Sequence, residues 1–435
     1  MEEIKNVKGT HDVYADENNA YEKVENLMKS IAEIYAYQGV RPPVLEHSPV
    51  FVRGVGEGSD IVRKEMYTFL DKGGRELTLR PEFTAGIMRL VVQNKLYATN
   101  ELPLKLYYVG PVFRYERPQL GRYRQFNQFG VESIGHNSPL NDVEVIVLAY
   151  TILCSLGLEN VKIKINTLGD EESRNNYRNA LKAYFAGHIE NMCVDCKSRF
   201  EINPLRILDC KVPEDRPIIE GAPKIGAYLS KDSQERFDQV LEALEALQIP
   251  YEINQSLVRG LDYYSETVFE FHYKSKEGND YGAVGAGGHY GKLMSELGGP
   301  DLPGVGFSFG IERIVSVLKD DGLLEDVKNQ LDAYIMPLDK ESMIYAEEVA
   351  VILRNSGGYK VDMCFDNVKL GNMFKRAANK KAKFAIIIGE NEVKEESVVL
   401  KDLAKQEQIT VKVEELVDKF DELYEASYGE EEEEL

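Results

Sequence analysis

Apolar residues recur at three- and four-residue spacing through residues 18–37, at Tyr21, Val24, Met28, Ile31 and Tyr35. That spacing predicts an amphipathic helix ended near Gly39. The prolines of RPPVLEHSPVF, residues 41–51, favour an extended edge or turn. EMYTFL at 65–70 and RELTLR at 75–80 flank DKGG, which predicts a hairpin with a glycine turn. LKLYYVGPVFRYE and QFNQFGVESIG are rich in aromatic and β-branched residues. They predict two antiparallel strands joined by a long, arginine-bearing functional loop. Residues 171–248 read as a helix-rich insertion, with Phe237, Val240, Leu241, Leu244 and Leu247 on one helix face. Strands are expected again at 257–273 and 281–286. A glycine-rich stretch then leads into a helix beginning near residue 307, and its glycines permit close backbone approach to a ligand.

After about residue 328 the pattern alternates strand and helix: DAYIMP, a helix at 342–355, YKVDMC, a helix at 367–380, then FAIIIGE. Alternation of this kind predicts an α/β domain with a mostly parallel sheet. The expected division is therefore an α+β domain at 1–327, an α/β domain at 328–425, and an acidic, disordered tail at 426–435. No solenoid-type repeat is present.

Composition changes this picture in two places. The 435 residues carry 52 Lys and Arg against 73 Asp and Glu, a net charge of −21, so overall charge does not mark a nucleic-acid binder. The five consecutive glutamates at 430–434 inflate that total, and binding depends on local fields. No long apolar run suits a membrane span and no apolar signal segment opens the chain, so a cytoplasmic location is expected. Of five cysteines, Cys193 and Cys196 form a CxxC, with Cys210 following. Three cysteines at that spacing suit a zinc site that lacks a fourth ligand, His188 being the closest imidazole. The expectation is reduced, semi-buried thiols and no bound metal.

Against the acidic background, Arg114, Arg117, Arg122 and Arg124 fall within eleven residues, with Glu116 among them. Guanidinium forks match phosphate oxygens. No GxxxxGK[ST] is present and no GxGxxG follows a strand, so a polyphosphate would be held by arginines: Arg114, Arg122, Arg259 and Arg313. Arg114 and Arg259 lie in apolar runs, where a charge needs an anionic partner, a carboxylate or a phosphate. Glu82, Glu132 and Asp262 are carboxylates suited to an ammonium or an imidazole N–H. The alternative is an internal salt bridge to one of the arginines, and for Asp262, flanked closely by Arg259, the two readings weigh equally.

Several segments resemble histidyl-tRNA synthetases, a class II family. LRPEFTAG resembles that family's LRPEGTA, and residues 113–132 resemble its motif 2. LVRGLDYYSETVFE, at 257–270, is similar to its histidine signature. GVGFSFGIERI, at 304–314, resembles motif 3, and RPPVLE resembles motif 1 with Pro43 as its proline. KGTHD, at 8–12, resembles the family's opening. The likeness runs from about residue 8 to residue 423. Neither HxGH nor KMSKS, the class I signatures, is present.

The resemblance implies a class II antiparallel-sheet catalytic domain with a helical insertion and a C-terminal α/β anticodon-binding domain. It implies ATP and L-histidine as substrates, Mg2+ with ATP, tRNA(His) as acceptor, and a homodimer. Catalysis would fall to Arg259 and Arg114, on opposite sides of the ATP α-phosphate. Glu116 would contact adenine or the magnesium-bearing region. Arg313 would hold the γ-phosphate and stack on adenine. Glu82, Thr84 and Gln128 would take the histidine α-amino group; Glu132 and Tyr264 would bind the two imidazole nitrogens. Arg117, Gln119, Arg122 and Arg124 would meet the tRNA acceptor end. The chain departs from the family pattern at Phe83, His289 and Gly291, which suggests a reshaped pocket wall. The AGGHYGKL departure also suits an alternative, a synthetase-like regulatory subunit of histidine biosynthesis that binds histidine without charging tRNA.

Overall fold

The protein is described from a computed structural model covering residues 3–56, 58–99, 101–118, 121–324 and 330–428. It forms two compact units, Met1–Asp326 and Val327–Leu435. The opening helix, Asp16–Ile34, buries Tyr21, Val24, Met28 and Ile31, the apolar stripe seen in the sequence. The proline-bearing segment splits in two. Leu45–His47 is a strand, and Ser48–Val55 is a helix with Pro49 in its first turn. Pro49 therefore starts a helix where an extended segment was expected: the first turn has no N–H to lose. Tyr67–Leu70 and Glu76–Leu79 form the expected hairpin, its turn held by Asp71 Oδ1 accepting from the Gly73 and Arg75 N–H groups.

The first unit is built on an eight-stranded sheet. Its order is Gln38–Gly39, Leu104–Phe113, Gln125–Ile134, Gly304–Gly310, Asp280–Tyr290, Tyr264–Lys274, Lys162–Thr167 and Tyr251–Ile253. The six central strands pair antiparallel, and only the two edge strands join in parallel. Two sequence expectations are corrected here. The strand expected from residue 257 begins at Tyr264, so Arg259 sits in the preceding loop. That loop is pinned from outside: Asn166 Nδ2 donates to Leu257 O (3.0 Å) and Arg206 to Gly260 O. The stretch at 280–290 is one long strand, and a strand at 304–310 precedes the helix Ile311–Asp320, which starts four residues later than expected. The glycines here serve side-chain packing within the sheet. A Cβ on Gly306 would lie 2.1 Å from Glu132 Oε2, and one on Gly287 2.6 Å from the Phe269 ring. Without side chains, such strands carry little of the alternation by which strands are read.

The insertion runs through the helices Glu171–Ala186, Val194–Ile202 and Lys231–Ala246, with short 3-10 turns between them. It has its own core of Tyr177, Leu181, Phe185, Cys196, Leu205 and Ile207.

The second unit holds a five-stranded sheet. Ala333–Pro337 pairs parallel with Val361–Met363 and Phe384–Ile388. Two further strands, Ser397–Asp402 and Gln408–Lys412, add antiparallel. The sheet is thus half parallel, where a mostly parallel one was expected. Its core includes Ile335, Val349, Leu353, Ile386, Leu400 and Phe420, all within the unit. The last helix, Leu416–Tyr428, carries the chain three residues into the expected tail; residues 429–435 lie outside the described residues.

Candidate active site

One face of the central sheet lines a cavity of about 430 Å³. Arg114, Arg122, Arg259 and Arg313 all border it, as do Glu82, Thr84, Glu116, Gln128, Glu132 and Tyr264. Gln128, Glu132 and Tyr264 reach it from strands that present alternate side chains to one side, while the other residues come from the loops and helix starts that join these strands.

At the closed end lies Glu132, 1% exposed on the strand Gln125–Ile134. Thr84 Oγ1 donates to its Oε1 (2.7 Å), Tyr290 Oη to its Oε2 (2.6 Å), and Tyr108 Oη to Oε1 at 3.4 Å. Burial pushes its carboxyl up to about 8, although the Tyr290 and Thr84 hydroxyls favour the charged form. Glu82 sits at the start of the helix Thr84–Gln93 and accepts from the Thr84 N–H (2.7 Å) and the Ala85 N–H (3.0 Å). Burial raises its pKa too. Gln128 is buried, and its Oε1 has no hydrogen-bond partner among the described residues. An orphaned buried acceptor in the same cavity as two carboxylates suits an ammonium.

The arginines occupy the remaining wall. Arg114, just past the strand end, donates from Nε to Pro81 O (2.8 Å) and lies over the Phe126 ring. Arg259 has the anionic partner its position required. Its Nη1 is 2.7 Å from Glu270 Oε1, and Glu270 Oε2 is 2.9 Å from His272 Nε2. Arg313 donates from Nη1 to Ala283 O (2.6 Å). Glu116 faces Arg122 at 3.7 Å.

The tRNA candidates separate. Arg117 and Arg122 are exposed. Arg124 is engaged inside the protein: its guanidinium lies 3.8 Å over the Tyr115 ring, and its Nε donates to Glu116 O (3.3 Å). Gln119 lies outside the described residues. Asp262 is paired with Arg206 of the insertion at 3.1 Å, and not with Arg259.

The departures from the family pattern also separate. Phe83 does line the cavity, stacked on Tyr108 at 4.3 Å. His289 does not, and the reshaped wall expected there is absent. Successive side chains on a strand point to opposite faces. Tyr290 therefore meets Glu132, while His289 is buried on the other side, 3.1 Å from Asp142 Oδ1 and 3.2 Å from Arg236. Gly291 lies with His289 on that other side, within 3.5 Å of Ser265 Oγ for an added Cβ.

Sequence reasoning missed Tyr290, Tyr108, Glu65 and Glu270, which all border the cavity. Period-two alternation from Tyr264 would have marked Glu270, and from Ala286 Tyr290. Glu65 closes the short helical turn Ile61–Glu65 and carries no such signal.

A family model described as Histidyl-tRNA synthetase matches residues 9–314, and one described as Anticodon binding domain matches residues 332–423. A Bacillus subtilis protein named histidine–tRNA ligase is 44% identical over 410 residues, 94% of this chain and 96% of the relative. A Shouchella clausii protein, histidine–tRNA ligase 1, is 44% identical over 412 residues, again 94% and 96%. The crystal structure of apo histidyl-tRNA synthetase from S. aureus is similar with a TM-score of 0.81 at 35% identity, covering 96% of this chain and 100% of that one.

Proposed function

The chain belongs to the histidyl-tRNA synthetase family, and from that premise we propose how its residues share a two-step reaction. The activity is ATP-dependent ligation of histidine to tRNA, on a class II fold followed by an anticodon-binding domain. In the first step the histidine carboxylate attacks the ATP α-phosphorus in line, giving histidyl-adenylate and pyrophosphate. In the second the terminal ribose hydroxyl of tRNA(His) attacks the adenylate, releasing AMP. No protein group becomes covalently attached, so positioning and electrostatic stabilisation supply the rate.

The observation that carries this reading is a buried carboxylate ringed by hydroxyls in the same cavity as four arginines. Arg114 and Arg259 flank the α-phosphate and stabilise charge as it crowds onto the phosphorus. Arg313 takes the γ-phosphate and the adenine face, and Glu116 the adenine side. Glu82, Thr84 and the orphaned Gln128 Oε1 hold the ammonium. Glu132 and Tyr264 read the imidazole, with Tyr290 fixing the carboxylate of Glu132. Mg2+ enters with ATP and screens its phosphates when bound. The residues suit it: Glu65 and Glu116 are oxygen donors on one wall, and burial followed by repulsion from Glu116 raises Glu65. Arg117 and Arg122 face the acceptor end of the tRNA, with Arg124 shaping their loop.

Histidine-dependent ATP–pyrophosphate exchange tests this reading against the histidine-binding regulator, which would bind histidine and show no exchange. The departure that favoured the regulator was AGGHYGKL, and neither its His289, which meets Asp142, nor its Gly291 borders the cavity.

Histidine binding should depend on pH with a defined sign. At neutral pH burial keeps Glu132 largely protonated in the empty site, with its pKa at about 8. Accepting an imidazole N–H requires the carboxylate, so binding releases a proton. Affinity should rise from pH 7 to pH 8, by up to about tenfold per unit. Glu132→Gln should weaken histidine binding and flatten the profile. Tyr290→Phe removes a hydrogen bond to a charged group and should cost roughly 1.5–3 kcal/mol in histidine affinity, with ATP affinity little changed. Calorimetric titrations with both ligands are the check; a flat wild-type profile, or equal losses for the two ligands, would count against these roles.

We also propose a cytoplasmic homodimer. The small sheet of Leu45–His47, Tyr67–Leu70 and Glu76–Leu79 exposes Leu45, Phe69 and Leu70, the last at 68%. Such a strip suits a two-fold partner strand shaped by Pro43. Light scattering at micromolar protein should give twice the 49.3 kDa chain mass. A monomer with full charging activity would refute it. No helix among the described residues is long and apolar enough to cross a membrane.

A further inference from the structure

We infer that Cys193, Cys196, Cys210 and Asp215 form a closed, tetrahedral site for a zinc ion in the helical insertion. The sequence reading stopped at three cysteines and looked for an imidazole. His188 instead packs on the Tyr184 ring. The fourth ligand is a carboxylate five residues beyond Cys210, and the four donor atoms all lie within 4.8 Å of one another.

The spacing of the donors fits an ion. Cys193 Sγ and Cys210 Sγ are 3.8 Å apart, and Cys210 Sγ is 3.4 Å from Asp215 Oδ2. A tetrahedron with zinc–sulfur bonds of about 2.3 Å has an edge of about 3.8 Å, and a mixed sulfur–oxygen edge is about 3.5 Å. Backbone N–H groups are already aimed at the donors. Cys196 N–H points at Cys193 Sγ and Val212 N–H at Cys210 Sγ, both at 3.4 Å, while Cys193 N–H meets the Asp215 carboxylate at 3.2 Å. Such bonds orient and stabilise charged ligands. Cys196 and Asp215 are buried, so a carboxylate faces three thiols instead of water. A disulfide would use two of the sulfurs and leave the third with the carboxylate. Thiolate-rich tetrahedral sites select zinc over magnesium or calcium. With four protein ligands no position stays open for substrate, so the ion is structural.

The site would stiffen one wall of the active site. Cys193 caps the helix Val194–Ile202. From that helix Asp195 pairs with Lys64 (3.1 Å) and Arg199 with Asp60 (3.0 Å), on the turn that borders the cavity. Cys210 follows Asp209, which borders it as well. Binding Zn2+ displaces the thiol protons, so affinity should rise with pH.

The test uses the full chain, purified reduced and without chelator. Elemental analysis should find about one zinc per chain. After stripping, Co2+ alone should give a thiolate charge-transfer band and the visible absorption of a tetrahedral ion, both lost on adding Zn2+. Cys210→Ser and Asp215→Asn should weaken Co2+ binding by more than the roughly 10–100-fold that loss of an outer partner costs. If either variant fails to fold, the wild-type cobalt spectrum still decides. A chain that holds no zinc and gives no charge-transfer band would overturn the site. So would a Cys193–Cys210 disulfide found by mass spectrometry, or thiols that react with a disulfide reagent equally fast with and without Zn2+.

Discussion

Replacing Arg259 by Ala should lower histidine-dependent ATP–pyrophosphate exchange by about 10²–10³-fold, the size expected for one preorganised electrostatic contact, while ATP affinity changes far less. The geometry motivates the split. Arg259 is anchored by Glu270 at 2.7 Å and lies over the Tyr264 ring, and its buried Nε has no hydrogen-bond partner among the described residues. A cation held this way can meet charge that develops on the α-phosphate without reorganising. It adds less to the ground state, where other arginines already hold the phosphates. Arg259→His should fall in the same range. Glu270→Gln keeps the cation and loosens its tether, so its loss should be smaller. Initial exchange rates at saturating substrates, set beside ATP titrations, check the split. Near-normal exchange by the Ala variant would remove Arg259 from the chemistry.

Deleting residues 328–435 should leave exchange largely intact while tRNA charging falls steeply. Every residue named at the cavity lies at or before Arg313, and the deleted unit has a separate core. The whole chain carries −21, so tRNA must be drawn by local basic patches. The loop around Arg117 and Arg122 is proposed as one. The other is the neighbourhood of the helix Leu370–Asn379, with Lys369, Lys375, Arg376, Lys380 and Lys381. Two of these already have acidic neighbours: Arg376 pairs with Asp366 (2.8 Å) and Lys380 with Asp362 (2.6 Å). Phosphates would have to compete with those carboxylates, so charging by the intact chain should weaken as salt rises. A truncated chain that charges as well as the whole one would leave the second unit without a role in tRNA reading.

How far the chain could be read depended on whether the deciding signal was local. The strands around the arginine loop, the DKGG hairpin and the opening helix each carry their own periodicity and turn residues, and each formed. The strand at 280–290 was legible only over 281–286 and the one at 304–310 not at all, because glycine deletes the alternation that marks a strand. Their glycines make room for groups that come from elsewhere, Glu132 and Phe269. Pro49 was read as a breaker, although its position decides whether it starts or ends a helix. At the site, Arg114, Glu82 and Glu132 could be nominated from their own segments. The partner of Arg259 could not, since Glu270 reaches it only after a loop and a strand fold back. His289 and Tyr290 are neighbours in sequence and lie on opposite faces of the sheet. Attention fell on His289, the unusual residue, while Tyr290 makes the contact with Glu132. The cysteine cluster was incomplete for the same reason: a turn after Cys210 brings Asp215 to the thiols.

The most direct measurement is transfer of labelled histidine to tRNA by the full chain, with ATP and Mg2+, against the other nineteen amino acids. Acid-precipitable label should appear on tRNA(His) with histidine alone, at one equivalent of AMP released per histidine attached. Binding of histidine without exchange or charging, or charging with a different amino acid, would contradict the assignment of this cavity to histidine activation.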